Sequence, residues 1–184
     1  MPDTAIIGVL LSGGRSSRMG RNKALLPWCG RPLIEHMQSV LSAAGVSNLK
    51  ISGELAGYPC IADQQTGLGP MGGLASVAAA VADGELLVVP VDMPRITPAL
   101  LRRLLAAPLL RPCLRFNKMV LPLRIRLDAT TRQVLSEILA AVGSARSLRN
   151  LQARLGVEEL PIRRDEEQLL INCNTPEEWE AIQQ

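Results

Sequence analysis

An apolar run at residues 6–11 ends in two adjacent glycines, and this junction constrains the fold more than any other part of the sequence. The run, Ile-Ile-Gly-Val-Leu-Leu, is short and rich in branched side chains, which predicts a buried strand. Gly13 and Gly14 lack a Cβ, so the backbone there can approach a ligand closely. Because amide N–H groups of such a loop can converge on an anion, we expect an anion-binding loop directly after the strand.

Positive charge is concentrated immediately after the glycines, where Arg15, Arg18, Arg21 and Lys23 lie within nine residues of the loop. A buried strand, a glycine turn and clustered cations together favour a polyphosphate-binding site. The common phosphate loop is excluded, because it needs two glycines separated by four residues and then Lys followed by Ser or Thr. A glycine turn on a solvated basic surface remains the alternative.

Length and composition limit the class of protein. The 184 residues suffice for one domain with a substantial core, and an apolar fraction of 47% argues against disorder. A net charge of +3 is too small to indicate a duplex-binding protein. No apolar run approaches the length of a membrane span, and the apolar stretch near the N-terminus is shorter than a secretion signal needs. We therefore expect a soluble cytoplasmic protein that binds neither nucleic acid nor membranes.

The region from 100 to 165 has an excess of positive charge, with thirteen Lys or Arg against five Asp or Glu. This excess could attract an anionic second substrate. Ordinary solvated arginines are the alternative, since no tight cationic run forms. The dispersed cysteines and the single histidine, His36, argue against a zinc site.

Strand and helix signals alternate along the chain, which predicts an α/β fold with a mostly parallel central sheet and helices on both faces. In such sheets, ligands bind at the carboxyl ends of the strands. The predicted strands lie at 6–11, 49–52, 60–61, 85–90 and 169–172, with a hairpin over 113–127. The predicted helices lie at 32–44, 74–82, 130–142, 147–155 and 176–182, with one more beginning at Thr97-Pro98.

Four segments of the sequence resemble motifs of one known family, and they occur in the same order along the chain. The first segment, residues 11–26, has the sequence Leu-Ser-Gly-Gly-Arg-Ser-Ser-Arg-Met-Gly-Arg-Asn-Lys-Ala-Leu-Leu. It resembles the signature of the molybdenum cofactor guanylyltransferases, which belong to the nucleotidyltransferase superfamily. Residues 69–73, 89–94 and 172–176 resemble its second glycine loop, metal-binding segment and C-terminal motif. The resemblance implies a three-layer, Rossmann-like nucleotidyltransferase fold. It also implies one domain over residues 1–184, with a GTP-binding N-terminal part and an acceptor-binding C-terminal part.

The resemblance also implies a reaction, namely transfer of GMP from GTP to molybdenum cofactor with release of pyrophosphate and with Mg²⁺ as the cofactor. Other cofactor-biosynthesis proteins and apo-molybdoenzymes are candidate partners. Two alternatives stay open: a related cytidylyl- or sugar-phosphate nucleotidyltransferase, and a non-catalytic module that binds nucleotide or delivers cofactor.

Site residues follow from the matching positions. Lys23, Arg18 and Asp92 are the candidate catalytic residues, with Lys23 and Arg18 contacting phosphates. The implied nucleotide-binding residues are Leu11, Ser12, Gly13, Gly14, Lys23, Asp63, Gly69, Pro70, Gly72 and Asp92. Asn22 departs from the family pattern, in which an aspartate often precedes the lysine, and this change puts the support of Lys23 in question.

Asp92 follows a buried apolar strand, where a carboxylate can hold Mg²⁺ against phosphate oxygens. The alternative for Asp92 is a turn or helix-capping residue. Asn172 and Asn174 flank Cys173, and alternation in a strand would place both amides on one face, suited to a phosphate or the acceptor. Asn174 as a plain turn residue is the alternative.

Base choice rests on the Gly13-Gly14 pair. Cytidylyl relatives of the family usually carry Ala-Ala-Gly where this chain has Ser12-Gly13-Gly14. A larger purine needs more room over the loop, and glycine leaves that room, so the pair favours GTP over CTP by analogy. Leu121-Pro122-Leu123 stands where the family usually has a polar residue before proline, which weakens any assignment of pterin contacts there.

Overall fold

Strands and helices alternate through the computed structural model, which describes residues 6–13, 22–65 and 67–183. The strands are β1 (Ile7–Leu11), β2 (Pro27–Trp28), β3 (Arg31–Pro32), β4 (Asn48–Ser52), β5 (Cys60–Ile61), β6 (Gly84–Pro90), β7 (Cys113–Phe116), β8 (Leu123–Leu127) and β9 (Val157–Leu160). The α-helices are α1 (Leu33–Ala43), α2 (Pro70–Ala80), α3 (Pro98–Ala106), α4 (Ala129–Ala140), α5 (Leu148–Leu155) and α6 (Pro176–Gln183).

Seven of these strands form the central sheet in the order β5-β4-β1-β6-β8-β7-β9, while β2 and β3 form a separate hairpin. Neighbouring strands from β5 to β6 are parallel, as are β7 and β9, and β8 is antiparallel to both of its neighbours. The parallel half brings the carboxyl ends of β5, β4, β1 and β6 to one edge, where ligands of such sheets bind.

Helices cover both faces of the sheet. All five residues of β1 are buried, as expected for a central strand packed on two sides. Helices α1 and α3 contact each other on one face, whereas α2 contacts β1, β4 and α4, and α4 contacts α5. The predicted three-layer α/β architecture with a mostly parallel sheet is therefore confirmed.

Near the C-terminus one predicted strand is wrong, and one strand of the sheet was not predicted. The strand expected over 169–172 is instead a 3₁₀ turn, Glu167–Leu170, followed by extended backbone outside the sheet. The strand that closes this edge of the sheet is β9, whose Val-Glu-Glu-Leu sequence lacks a clear alternating pattern. It pairs with β7 by backbone hydrogen bonds that need no particular side chain.

Helix α2 begins earlier than predicted. The sequence placed its start at Leu74 and the glycines before it in a loop, but the helix runs from Pro70 to Ala80. Pro70 occupies its first turn, where a missing N–H costs nothing.

Within the described part of the chain, no helix has the length and apolar character needed to cross a membrane.

Candidate active site

The carboxyl ends of the parallel strands are joined by backbone hydrogen bonds at the proposed nucleotide edge. Ser12 N–H donates to the Ser52 carbonyl at 3.2 Å, which ties the end of β1 to the end of β4. Val91 N–H donates to the Leu11 carbonyl at 3.0 Å, which ties β6 to β1. The Ser12 hydroxyl also donates to the Ser52 carbonyl at 2.6 Å. The ends of β1, β4 and β6 are therefore held next to one another at the site.

Asp92 lies two residues after β6 with 22% of its side chain exposed. Burial raises the pKa of this carboxyl group, and the Lys23 ammonium opposes that rise. Lys23 Nζ stands 3.8 Å from Asp92 Oδ2, so the two predicted catalytic residues form an ion pair. A partly desolvated carboxylate beside a cation is an arrangement found at functional sites.

Lys23 occupies the start of a short 3₁₀ turn, Lys23–Leu25, and its ammonium is held by two groups. It donates to Asn174 Oδ1 at 2.8 Å in addition to pairing with Asp92. Asn22 caps this turn, because its Oδ1 accepts from Ala24 N–H at 3.1 Å. The asparagine that departs from the family pattern therefore supports Lys23 through the backbone.

The two C-terminal asparagines do different things. Asn174 contacts Lys23, whereas Asn172 lines a cavity on the C-terminal side of the site. They do not alternate on a strand, because this segment lies outside the sheet. Cys173 N–H donates to the Asp92 carbonyl at 2.9 Å, so the segment is tied to the end of β6 instead. Burial raises the pKa of the Cys173 thiol to about 11, and the thiol therefore stays protonated near neutral pH.

Asp63 reaches the glycine-rich part of the site after β5. A Cβ on Gly13 would lie 3.6 Å from Asp63 Oδ2, and one on Gly72 would lie 3.5 Å from it. Asp63 Oδ1 is buried without a hydrogen-bond partner among the described residues. Burial raises the pKa of Asp63, and the nearby Glu54 adds to the rise. An unpaired buried acceptor between two glycines is suited to a hydroxyl or amine donor from a ligand.

The second glycine segment is a loop only up to its first glycine. Gly69 has a φ of 55° and precedes α2, a conformation that glycine adopts without strain. Gly72 and Gly73 lie inside the first turns of the helix, so the predicted loop over these two residues is wrong. A Cβ on Gly73 would come within 2.5 Å of Ser52 Oγ, and glycine is what allows α2 to approach the end of β4.

Aromatic contacts connect the Asp92 segment to the C-terminal helix, and sequence reasoning gave them no role. The His36 ring contacts the Pro94 carbonyl through Nε2 at 2.9 Å. Burial lowers the pKa of His36, which favours the neutral ring with Nε2–H as the donor. Trp28 packs between His36 and Trp179, with ring centroids 5.9 and 5.5 Å away. No spacing rule brings Trp179 to the other two residues, because most of the chain separates it from Trp28 and His36.

Glu178 is a second contact residue that sequence reasoning missed. Its Oε2 accepts from the backbone N–H of Asn174 at 2.6 Å, and the side-chain oxygen of the same asparagine holds Lys23. A signal was present in the sequence, because Thr175-Pro-Glu-Glu178 matches the Ser/Thr-x-x-Glu capping box.

A cavity of about 480 Å³ opens on the C-terminal side of the site. Met93, next to Asp92, lines one side of it, and Asn172 also lines it. Three cationic residues of the C-terminal half also line it, and none of them forms an ion pair with a residue that the structure describes. The lining consists of Leu68, Pro70, Met71, Met93, Lys118, Met119, Val120, Leu121, Arg146, Ser147, Leu148, Arg149 and Asn172.

Several predicted site residues lie outside the described part of the chain. These are Gly14 and the three arginines of the first loop, Arg15, Arg18 and Arg21. The structure describes the other predicted site residues at the positions given above, and these are Leu11, Ser12, Gly13, Lys23, Asp63, Gly69, Pro70, Gly72, Asp92, Asn172 and Asn174.

The chain matches a family model described as the MobA-like NTP transferase domain over residues 8–159. The protein belongs to this family. A member from Xanthomonas euvesicatoria, named molybdenum cofactor guanylyltransferase, is 49% identical over 95% of this chain and 93% of that protein. One of the same name from Pseudomonas fluorescens is 34% identical over 92% and 89%.

The MobA-like fold is supported independently by solved structures. Molybdopterin-guanine dinucleotide biosynthesis protein A from Archaeoglobus fulgidus superposes with a TM-score of 0.77 at 21% identity, covering 96% of both chains. At that identity the likeness concerns the fold. The family resemblance of residues 11–26 and the nucleotidyltransferase class that it implied are confirmed by the family match.

Proposed function

We propose that the protein transfers GMP from GTP to molybdenum cofactor, forming the guanine dinucleotide form of the cofactor and releasing pyrophosphate. The observation that carries the proposal is the 49% identity, over nearly the whole chain, to a relative with that name. The Lys23–Asp92 ion pair at the carboxyl edge of the parallel strands supports it. A cytoplasmic location stays a prediction from the sequence.

The N-terminal half would bind the nucleotide. Leu11, Ser12, Gly13 and Gly14 bring the backbone close to the phosphates, and the Lys23 ammonium binds phosphate oxygens. Arg18 has the same proposed role. Asp63, whose Oδ1 lacks a partner among the described residues, would accept hydrogen bonds from the nucleoside beside Gly69, Pro70 and Gly72.

Asp92 would hold the metal ion. Mg²⁺ in phosphoryl-transfer sites usually takes one or two carboxylates, with phosphate oxygens and waters as its other ligands. One desolvated carboxylate at the end of β6 suits this requirement, and the described residues contain no cluster of three metal-ligating side chains. When bound, Mg²⁺ would neutralise charge on the phosphates.

The C-terminal half would bind the acceptor in the cavity lined by Asn172. The cavity combines apolar side chains, including Met71, Met93 and Met119, with three cations. Such a lining suits a flat heterocycle that carries a phosphate, as the pterin of molybdenum cofactor does. Because Met93 adjoins Asp92, an acceptor bound there would lie near the transferred phosphoryl group. The excess of positive charge over 100–165 would favour an anionic acceptor.

The chemistry then requires no protein nucleophile. An oxygen of the cofactor's terminal phosphate forms a bond to the α-phosphorus of GTP, the bond to the β-phosphate oxygen breaks, and pyrophosphate leaves. The attacking phosphate is already ionised near neutral pH, so no general base is needed. Positioning and charge stabilisation, supplied by Lys23 and the backbone, would lower the barrier.

The proposal is tested by measuring pyrophosphate release from GTP and Mg²⁺ with and without molybdenum cofactor. We expect release that depends on the cofactor, and much weaker release when CTP replaces GTP. Equal or faster release with CTP would support the cytidylyl alternative. Tight GTP binding without any release would support the non-catalytic alternative.

Base choice is tested by Gly13→Ala. The nearest described atoms to a Cβ at this position are Asp63 Oδ2 at 3.6 Å and Gly53 Cα at 3.7 Å, so alanine fits the unliganded protein. We expect an unchanged Tm and about a tenfold weaker affinity for GTP with little change for CTP, the scale of one misplaced methyl group in a binding site. Equal effects on both nucleotides in a calorimetric titration would contradict the steric explanation.

The acceptor site is tested by Arg149→Ala. Removing this cation from the cavity wall should raise the KM for molybdenum cofactor about tenfold and leave the KM for GTP unchanged, because a charged contact to the phosphate is lost. Arg154→Ala is the matched control, since Arg154 lies on the same helix and pairs with Glu137 instead. A change in the KM for GTP alone would place Arg149 at the nucleotide.

A further inference from the structure

The carboxylate of Glu178 joins the C-terminal helix to the backbone of the active-site segment. Its Oε2 accepts from Thr175 N–H at 3.2 Å, and the Thr175 hydroxyl accepts from Glu178 N–H at 3.2 Å. These two bonds form a capping box at the start of α6. The same Oε2 accepts a second bond, from Asn174 N–H at 2.6 Å, which the capping box does not require.

That additional bond reaches the residue that holds Lys23. Asn174 Oδ1 accepts from Lys23 Nζ at 2.8 Å, and Lys23 Nζ lies 3.8 Å from Asp92. Glu178 is therefore connected to the ion pair through one residue. The order of contacts is Glu178, Asn174, Lys23 and Asp92.

Among the described residues, the backbone N–H of Asn174 is hydrogen-bonded only to Glu178. The segment before α6 lies outside the sheet, and the described backbone bond that ties it to the strands comes from its neighbour, Cys173 N–H to the Asp92 carbonyl. The conformation of Asn174 therefore depends on Glu178. The Lys23 side chain is long and flexible, so a fixed acceptor reduces the number of positions that its ammonium adopts.

We propose that Glu178 is a positioning residue that acts through Asn174 to hold the Lys23 ammonium where it binds the phosphates. The inference rests on the proposed function for its kinetic consequence, but the placement of Lys23 can be tested without substrate. Glu178 itself touches no substrate in this scheme.

Three variants separate positioning from helix capping. Glu178→Ala removes the bond to Asn174 and half of the capping box. Glu178→Gln keeps an acceptor oxygen and removes the charge. Thr175→Ala removes the hydroxyl that caps α6 and leaves the carboxylate bond to Asn174 in place. Glu178→Ala and Thr175→Ala should both lower the Tm by a few degrees, as loss of a helix cap does.

The substrate-free measurement is the acylation rate of Lys23 by acetic anhydride, followed by mass spectrometry. Release of the ammonium should increase labelling at Lys23 at least about threefold in Glu178→Ala and in Asn174→Ala, since a freed amine is more accessible. Thr175→Ala and Glu178→Gln should label as the unaltered protein does. Equal labelling of Lys23 in Glu178→Ala and Thr175→Ala would overturn the inference.

The kinetic measurement is the transfer rate with GTP, Mg²⁺ and molybdenum cofactor. Glu178→Ala should lower kcat/KM for GTP about tenfold, the scale of one lost charge-assisted hydrogen bond, and Glu178→Gln should restore most of that loss. In an Asn174→Ala background, Glu178→Ala should have no further effect on the rate. Additive losses in the double variant would also overturn the inference. Absence of any transfer by the unaltered protein would contradict the proposed function, while the labelling result would still decide the placement of Lys23.

Discussion

Substituting Asp92 with asparagine should lower the transfer rate at least about a hundredfold, because the site loses the carboxylate proposed to hold Mg²⁺. The amide has the same shape, and the Asp92 carbonyl can still accept from Cys173 N–H. The fold should remain intact. Burial raises the pKa of Asp92, so the folded protein disfavours the charged form, and the neutral variant should have an unchanged or higher Tm.

The matched control is Asp83→Asn, which removes a carboxylate just before the amino end of the same strand. Asp83 is largely exposed and pairs with Arg132, so its loss should leave the rate unchanged and cost little stability. Rate measurements over a range of Mg²⁺ concentrations complete the test. An Asp92→Asn protein that kept the unaltered rate would show that the metal assignment is wrong.

Replacing Lys23 with alanine should weaken GTP binding about tenfold to a hundredfold, which corresponds to the loss of a charged hydrogen bond to a phosphate. The rate should fall as well, because the ammonium would stabilise charge on the transferred group. Calorimetric titration with GTP gives the affinity, and the pyrophosphate assay gives the rate.

Lys50→Ala serves as the control for Lys23→Ala. Both variants remove one positive charge, but only Lys23 pairs with Asp92. Lys50 lies within β4. If both variants lost the same affinity, the effect of Lys23 would be one of net charge. An unchanged affinity and rate in Lys23→Ala would exclude the phosphate-binding role.

Much of the fold was predictable because the strands that build the nucleotide edge have strong signals. β1 and β6 are short apolar runs bounded by Gly or Pro, and both are buried in the centre of the sheet. In both runs the short length, the branched side chains and the flanking Gly or Pro together favour a buried strand over a helix. The hairpin of β7 and β8 was also predicted, over 113–127, and Lys118 in its connection has a φ of 65°.

Other elements could not be predicted because their conformation is set by distant residues. The Leu-Leu-Ile run at 169–171 resembles a strand, yet the segment that follows it is fixed by the bond from Cys173 to Asp92, outside the sheet. A short apolar run does not distinguish these outcomes. The start of α2 was missed since glycines usually indicate a loop, whereas Gly73 lies in the helix where it packs against Ser52.

The site was predicted residue by residue, but not its connections. Matching positions identified Lys23, Asp92 and Asn174 separately, and the structure brings them into one chain of contacts. The contact between Lys23 and Asn174 joins residues 151 positions apart, which no local pattern can predict. Glu178 was within reach of sequence reasoning, because the capping-box spacing marks it.

The most direct test of the proposed nucleotide site is a crystal structure of the protein with GTP and Mg²⁺ bound. We expect the triphosphate to lie between residues 12–23 and Asp92, with Lys23 Nζ within hydrogen-bond distance of a phosphate oxygen. A triphosphate bound elsewhere, with Lys23 still held only by Asn174 and Asp92, would contradict it.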